Sequence, residues 1–185
     1  MKTLLASVDR LPAGRAVAIR GALGPETVRL VEDASGVEWL PLEANVRLSH
    51  ALHAVLEPGE FDAFHRSHFL TACRGPLFGA ILDGVVAMFG YDLDAWARFV
   101  PTGWSATFRE CGRWSIAPRT SGVVEMVLRD LPARCVLDRV WPSSVAASLS
   151  ALLDLGQADG AVDLLELRRR RAEAVYLLRW NLRPA

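Results

Sequence analysis

The sequence predicts an α+β fold in which a helical N-terminal half packs on a four-stranded antiparallel sheet, the C-terminal half running β-β-α-β-β. Three observations predict it. Apolar residues recur at helical spacing from Glu43 to Cys111; from Arg113 onward the period falls largely to two; and one helical stretch, Trp141 to Leu155, divides the alternating runs into pairs. A chain of 185 residues with 51% hydrophobic residues is long enough to close one core. We therefore expect a single domain over 1–185, with the helical layer over about 24–111 and the sheet-forming part over about 112–181.

The elements follow in order. The stretch MKTLLASVDR carries too short an apolar segment for a signal peptide before Asp9 and Arg10, and belongs to the folded protein. Ala16 to Ile19 reads as a short strand. Pro25 then opens a helix, with Glu26 in the first turn where the helix dipole favours an acid, and Gly36 closes it. Leu42 to Leu56 is a helix ended by the Pro-Gly-Glu turn, and Pro58 starts the next, running to Cys73. After Gly75 and Pro76, one face of the segment from Leu77 to Phe89 is large and apolar, including Phe78 and Leu82. Its other face, with Gly79, Ala80, Asp83, Gly84 and Ala87, is small, which suits a helix covered on both sides. Pro101 is expected to divide Asp94–Val100 from Thr102–Cys111, because it lacks the amide proton a helix interior needs.

Beyond Gly112, Trp114 and Ile116 alternate with Arg113 and Ser115, and Ser121-Gly122 makes the turn into Val123–Arg129. Val162–Leu167 and Glu173–Trp180 form a second hairpin around the basic tract Arg168, Arg169, Arg170 and Arg171.

Charge and cysteine content narrow the function. Twenty-one Lys and Arg balance 21 Asp and Glu, so the overall attraction used by nucleic-acid or anionic-membrane binders is missing. No uninterrupted apolar run reaches membrane-spanning length. Three cysteines without Cys-x-x-Cys spacing suit a reducing cytoplasm rather than a disulfide framework.

No P-loop, Gly-x-Ser-x-Gly elbow or dinucleotide-binding glycine pattern is present. His50, His53, His65 and His68 form two i, i+3 pairs, the only pattern from which a histidine-dependent metalloenzyme could be built, with Glu57, Glu60, Asp62 and Cys73 nearby. Neither pair is His-Glu-x-x-His, and core or surface imidazoles are the plainer reading. The arginine tract reads as a solvated hairpin tip or as the contact for an acidic partner. Six tryptophans are many for this length. Trp104, Phe108, Trp114 and Trp141 surround the junction of helices and strands, where with Phe78 and Leu82 they would line a cleft for a small apolar ligand if the layers do not close completely.

The element order, with Phe108-Arg109-x-x-Gly112 before the first strand, resembles an uncharacterised paralogous family known mainly from myxobacteria. More remotely it resembles the superfamily of heme-nitric-oxide-binding sensor domains, vinyl-reductase-type domains and Bet3-like trafficking subunits. The resemblance implies helices on one face of an antiparallel sheet, enclosing a cavity for a small apolar ligand or an acyl chain. Heme is not expected, since that branch uses a histidine shortly before the strands and a Tyr-x-Ser-x-Arg clamp, and Asp94 to Gly112 contains no histidine. An acyl-binding relative would use a cavity-facing cysteine, a place Cys73 could take. The expected function is a non-enzymatic, cytosolic ligand-binding or protein-interaction domain in a sensory or regulatory role, without cofactor. A homodimeric scaffold for partner docking and the histidine metalloenzyme are the alternatives.

Overall fold

A computed structural model describes residues 1–35, 39–75, 79, 83–84, 86–88, 90 and 92–182. Its helices are α1 (Lys2–Val8), α2 (Ala13–Leu23), α3 (Pro25–Asp33), α4 (Leu42–Val55), α5 (Pro58–Cys73), α6 (Leu93–Thr107), α7 (Val140–Leu149) and α8 (Ala151–Leu155). The strands are β1 (Arg113–Thr120), β2 (Val123–Arg129), β3 (Ala158–Arg168) and β4 (Glu173–Leu182). All pairings are antiparallel, in the order β1-β2-β4-β3. This is the α+β architecture, with the β-β-α-β-β order, that the change of period announced.

Local chemistry explains the starts of two helices. At α5, Pro58 takes the first turn, where its missing N–H costs nothing, and Glu57 and Glu60 cap each other's backbone amides. At α3, Pro25 follows Gly24, whose φ of 82° turns the chain sharply out of α2.

Four expectations are corrected. The helical half begins at Lys2, well ahead of residue 24, and Ala16–Ile19 lies inside α2 rather than in a strand. Its four apolar residues look extended in isolation, but α2 packs on α4 and buries Ile19 and Leu23, so tertiary burial outweighs the local pattern. Pro101 does not divide α6, which continues through it. One backbone hydrogen bond is lost, while Trp96, Phe99, Val100 and Trp104 hold a single apolar stripe against the second core described below. The helix expected from Trp141 to Leu155 is instead two, α7 and α8, meeting at Ser150. The segment from Leu77 to Phe89, with Phe78 and Leu82, falls largely outside the described residues.

Two cores result. One joins α1–α5 through Leu4, Leu5, Ile19, Leu48, Leu52 and Phe61. The other lies between the inner sheet face and α6–α8. There Ile116, Met126, Tyr176 and Leu164 form one row across all four strands. Helix α7 sits between the two cores, in contact with α4, α5 and β3. Seven of its ten residues are buried; Ser144, Ala146 and Ala147 among them are small enough to let the neighbouring backbones approach.

Candidate ligand cavity

Where α6 crosses α4, α5, α7 and α8 the packing does not close, and a cavity of about 430 Å³ remains. That volume falls within the small-molecule range. Its α6 wall repeats at helical spacing, with Trp96, Phe99, Val100, Gly103, Trp104 and Thr107. Helix α5 contributes His65, His68, Phe69, Ala72 and Cys73; α7 and α8 contribute Ser144, Val145, Ser148, Leu149, Leu152 and Leu155. Asn45 and Ser49 face it from α4, and Leu4 from α1. The lining reaches solvent at a mouth of five exposed residues, Ser35, Trp39, Pro41, Thr107 and Arg109.

Aromatic contacts hold the α6 wall in place. Trp104 stacks on Phe108, with centroids 4.2 Å apart, and meets Trp114 and Trp141 edge-on at 5.5 and 6.2 Å. Its Nε1–H donates to the Cys111 carbonyl at 2.9 Å. Trp141 is 1% exposed and donates from Nε1 to Asn45 Oδ1 at 2.8 Å. Ser49 donates to Ser144 at 3.2 Å, and Ser144 to the Trp141 carbonyl at 2.7 Å, so these hydroxyls are already engaged in the wall.

Of the residues singled out from sequence, Trp104 and Phe108 line the cavity. Trp114 and Trp141 stand behind Trp104 as its support. Phe78 and Leu82 lie outside the described residues. Trp39, Asn45, Phe99, Val100, Arg109 and Leu152 were missed. The α6 members had a legible signal in their i, i+3, i+4 spacing, hidden by reading Pro101 as a break.

The four histidines do not gather into one cluster: His65 and His68 share the cavity wall, and His50 and His53 lie outside its lining. His50 approaches Asp138 at 3.5 Å, and His53 meets Phe61 edge-on at 5.4 Å. His65 is packed against Phe61 and Phe64 with its Nε2 unpartnered, and burial, followed by nearby His68, lowers its pKa to about 3. His68 is lowered to about 4, chiefly by burial. Ser7 Oγ gives its proton to the Thr3 carbonyl, so it accepts from His68 Nδ1 at 3.3 Å, placing the His68 proton on Nδ1. Among the described residues no three His, Cys, Asp or Glu side chains come together as a metal site.

The cysteines are buried thiols. Cys73 lines the cavity, where burial pushes it up to about 11, leaving a neutral and weakly nucleophilic group. Cys111 is also raised, first by its hydrogen bond with Cys135 and then by burial. At the far end of the sheet, Arg168 is tied to Glu166 at 2.7 Å and Glu173 at 3.3 Å, while Arg169, Arg170 and Arg171 form an exposed turn.

Compared by sequence, the chain matches no protein-family model and no curated protein. Compared by structure, it has the fold of H-NOX proteins. The Fe(II) unliganded H-NOX protein from K. algicida aligns over 100% of this chain and 95% of its own, with a TM-score of 0.63 and 11% identity. The H-NOX protein from S. oneidensis in the Fe(II)NO ligation state aligns over 98% and 99%, with a TM-score of 0.58 and 10% identity. At such identity the likeness establishes architecture alone.

The fold therefore raises the question of an iron porphyrin, whose iron one imidazole can hold but whose two carboxylates the described lining does not match. The cavity wall of α6 offers no ligating atom. On α5, His65 Nε2 is sealed in the protein, Cys73 is a neutral thiol, and His68 remains as a single imidazole. A porphyrin's two carboxylates would face one guanidinium, Arg109, among the described lining residues.

Proposed function

We propose that this chain is a non-enzymatic ligand-binding domain in which a small, largely apolar molecule or acyl chain occupies the cavity between α6 and helices α4, α5, α7 and α8, in a sensory or regulatory role. The observation that carries this reading is the cavity itself, bounded by Trp96, Phe99, Trp104, Phe108, Leu149 and Leu152. An opening of this size within a well-packed fold forgoes dispersion contacts that a ligand would restore. The H-NOX fold supports the sensory part of the reading, since one relative with this architecture is described in an NO-ligated state.

The test is a thermal-shift and native mass-spectrometry screen with apolar compounds of graded size. A ligand should raise Tm according to its concentration and Kd. Gly103 lines the cavity, and a Cβ placed on it would meet nothing within 4 Å, so a leucine there has room to start into the space, and Gly103→Leu is the variant to fill it. Binding should disappear in this variant while the protein stays folded. Unchanged binding would place the ligand elsewhere, and a screen with no binder would remove the reading.

A further inference from the structure

The cavity carries a charge signature that narrows its ligand. The chain as a whole is neutral, with as many acids as bases. Yet among the described residues lining the cavity there is no Asp or Glu, while Arg109 stands at the mouth. Its guanidinium lies over the Trp39 ring, 4.3 Å from the centroid. A cation held on an aromatic face keeps its in-plane N–H groups free to point elsewhere. Among the described residues, no carboxylate pairs with Arg109, although Arg15, Arg20, Arg66, Arg113 and Arg179 all have carboxylate partners.

Resting on the cavity reading above, we propose that the ligand is a carboxylate amphiphile whose head group pairs with Arg109 at the mouth and whose apolar tail runs inward along Trp104, Phe99 and Trp96. The arrangement follows the cost of desolvation. A carboxylate carried into the interior would meet hydroxyls already bonded within the wall and neutral imidazoles, and would lose its hydration with little return. At the mouth it meets a planar guanidinium able to bond both its oxygens, while remaining partly in water. The tail meets Trp96, Val145, Leu149 and Leu152, all buried. A cationic head group would face Arg109 with no neutralising acid in the described lining.

The experiment compares decanoate, decan-1-ol and decylamine by titration calorimetry, with the wild type and with Arg109→Gln, Arg109→Lys and Gly103→Leu. Decanoate should bind about tenfold more tightly than decanol and more tightly still than decylamine, as expected of one charge-assisted pair. Arg109→Gln should erase the preference for the acid, weakening decanoate far more than decanol; Arg109→Lys should retain part of it; Gly103→Leu should block decanoate and decanol alike. Equal or better binding of decanol or decylamine, or decanoate binding indifferent to Arg109→Gln, would overturn the head-group assignment while the cavity reading stands. Failure of all three compounds to bind would overturn both.

Discussion

Trp141 Nε1 and Asn45 Oδ1 lie 2.8 Å apart across 96 positions of chain, and their bond fastens α7 to α4 where the two cores meet. Trp141→Phe keeps most of the ring volume and removes the donor, and should cost about 1 kcal/mol. Trp141→Ala also empties a fully buried site beside Trp104, and should cost about 3–5 kcal/mol. Denaturant melts of both variants measure the difference. Equal losses would mean that the buried ring adds nothing beyond its hydrogen bond.

Acid should destabilise the protein through His65 and His68. In the unfolded chain each takes up a proton near pH 6.5, whereas in the fold they resist until about 3 and about 4. Between these values the unfolded state binds more protons, so stability falls as the pH drops from 6.5 toward 4. His65→Phe, placed among Phe61 and Phe64, removes one of these groups and should flatten the slope between pH 6.5 and about 5.5, above the range where most carboxylates titrate. An unchanged slope in urea melts across that window would contradict the assignment.

Hemin should not form a stoichiometric complex in the cavity. Adding it to the purified protein should give the spectrum of free or non-specifically bound hemin, equal in wild type and in His68→Ala. A sharp Soret band at one equivalent that disappears with His68 would show that the single available imidazole suffices.

The three thiols should be silent toward Ellman's reagent in the native state, since Cys73, Cys111 and Cys135 are all buried and Cys73 and Cys111 are held protonated. Three equivalents should react once guanidinium chloride unfolds the chain. A fast-reacting thiol at neutral pH would mark a local opening beside the cavity, with Cys73 the first to examine.

Two glycines should respond in opposite ways. At Gly112 the backbone has φ 78°, and a Cβ would stand 2.5 Å from the Arg129 carbonyl oxygen across the β1–β2 pair, so Gly112→Ala should destabilise by about 2 kcal/mol or more. Gly103 is helical, with open space where its Cβ would be, so Gly103→Ala should stabilise by about 0.5–1 kcal/mol. Similar Tm changes at both positions would indicate that the cavity wall relaxes when Gly103 is replaced.

Much of the fold was legible because it is written in local terms. Pro58 and the mutual caps of Glu57 and Glu60 start α5 where the sequence indicates, and Ser121-Gly122 turns β1 into β2. The failures share one cause. Ala16–Ile19 was given to a strand and Pro101 to a helix break because each reading weighed a few residues against intrinsic preference. Burial against α4 decided the first, and the apolar stripe from Trp96 to Trp104 along α6 decided the second.

The candidate site divides along the same line. An aromatic-rich junction holding Trp104, Phe108, Trp114 and Trp141 could be read from residue order and periodicity alone. Only the tertiary structure distinguishes Trp104 and Phe108, which face open space, from Trp114 and Trp141, which support them. The same structure puts His65 and His68 on the cavity wall and leaves His50 and His53 out of its lining, and it places the exposed Arg109 in a cavity lining whose described residues include no acid. Periodicity tells which face of a helix is apolar, so the sequence determined the layers and their order. Whether two apolar faces close on each other or leave a space depends on crossing helices far apart in the chain, and that packing belongs to the tertiary structure.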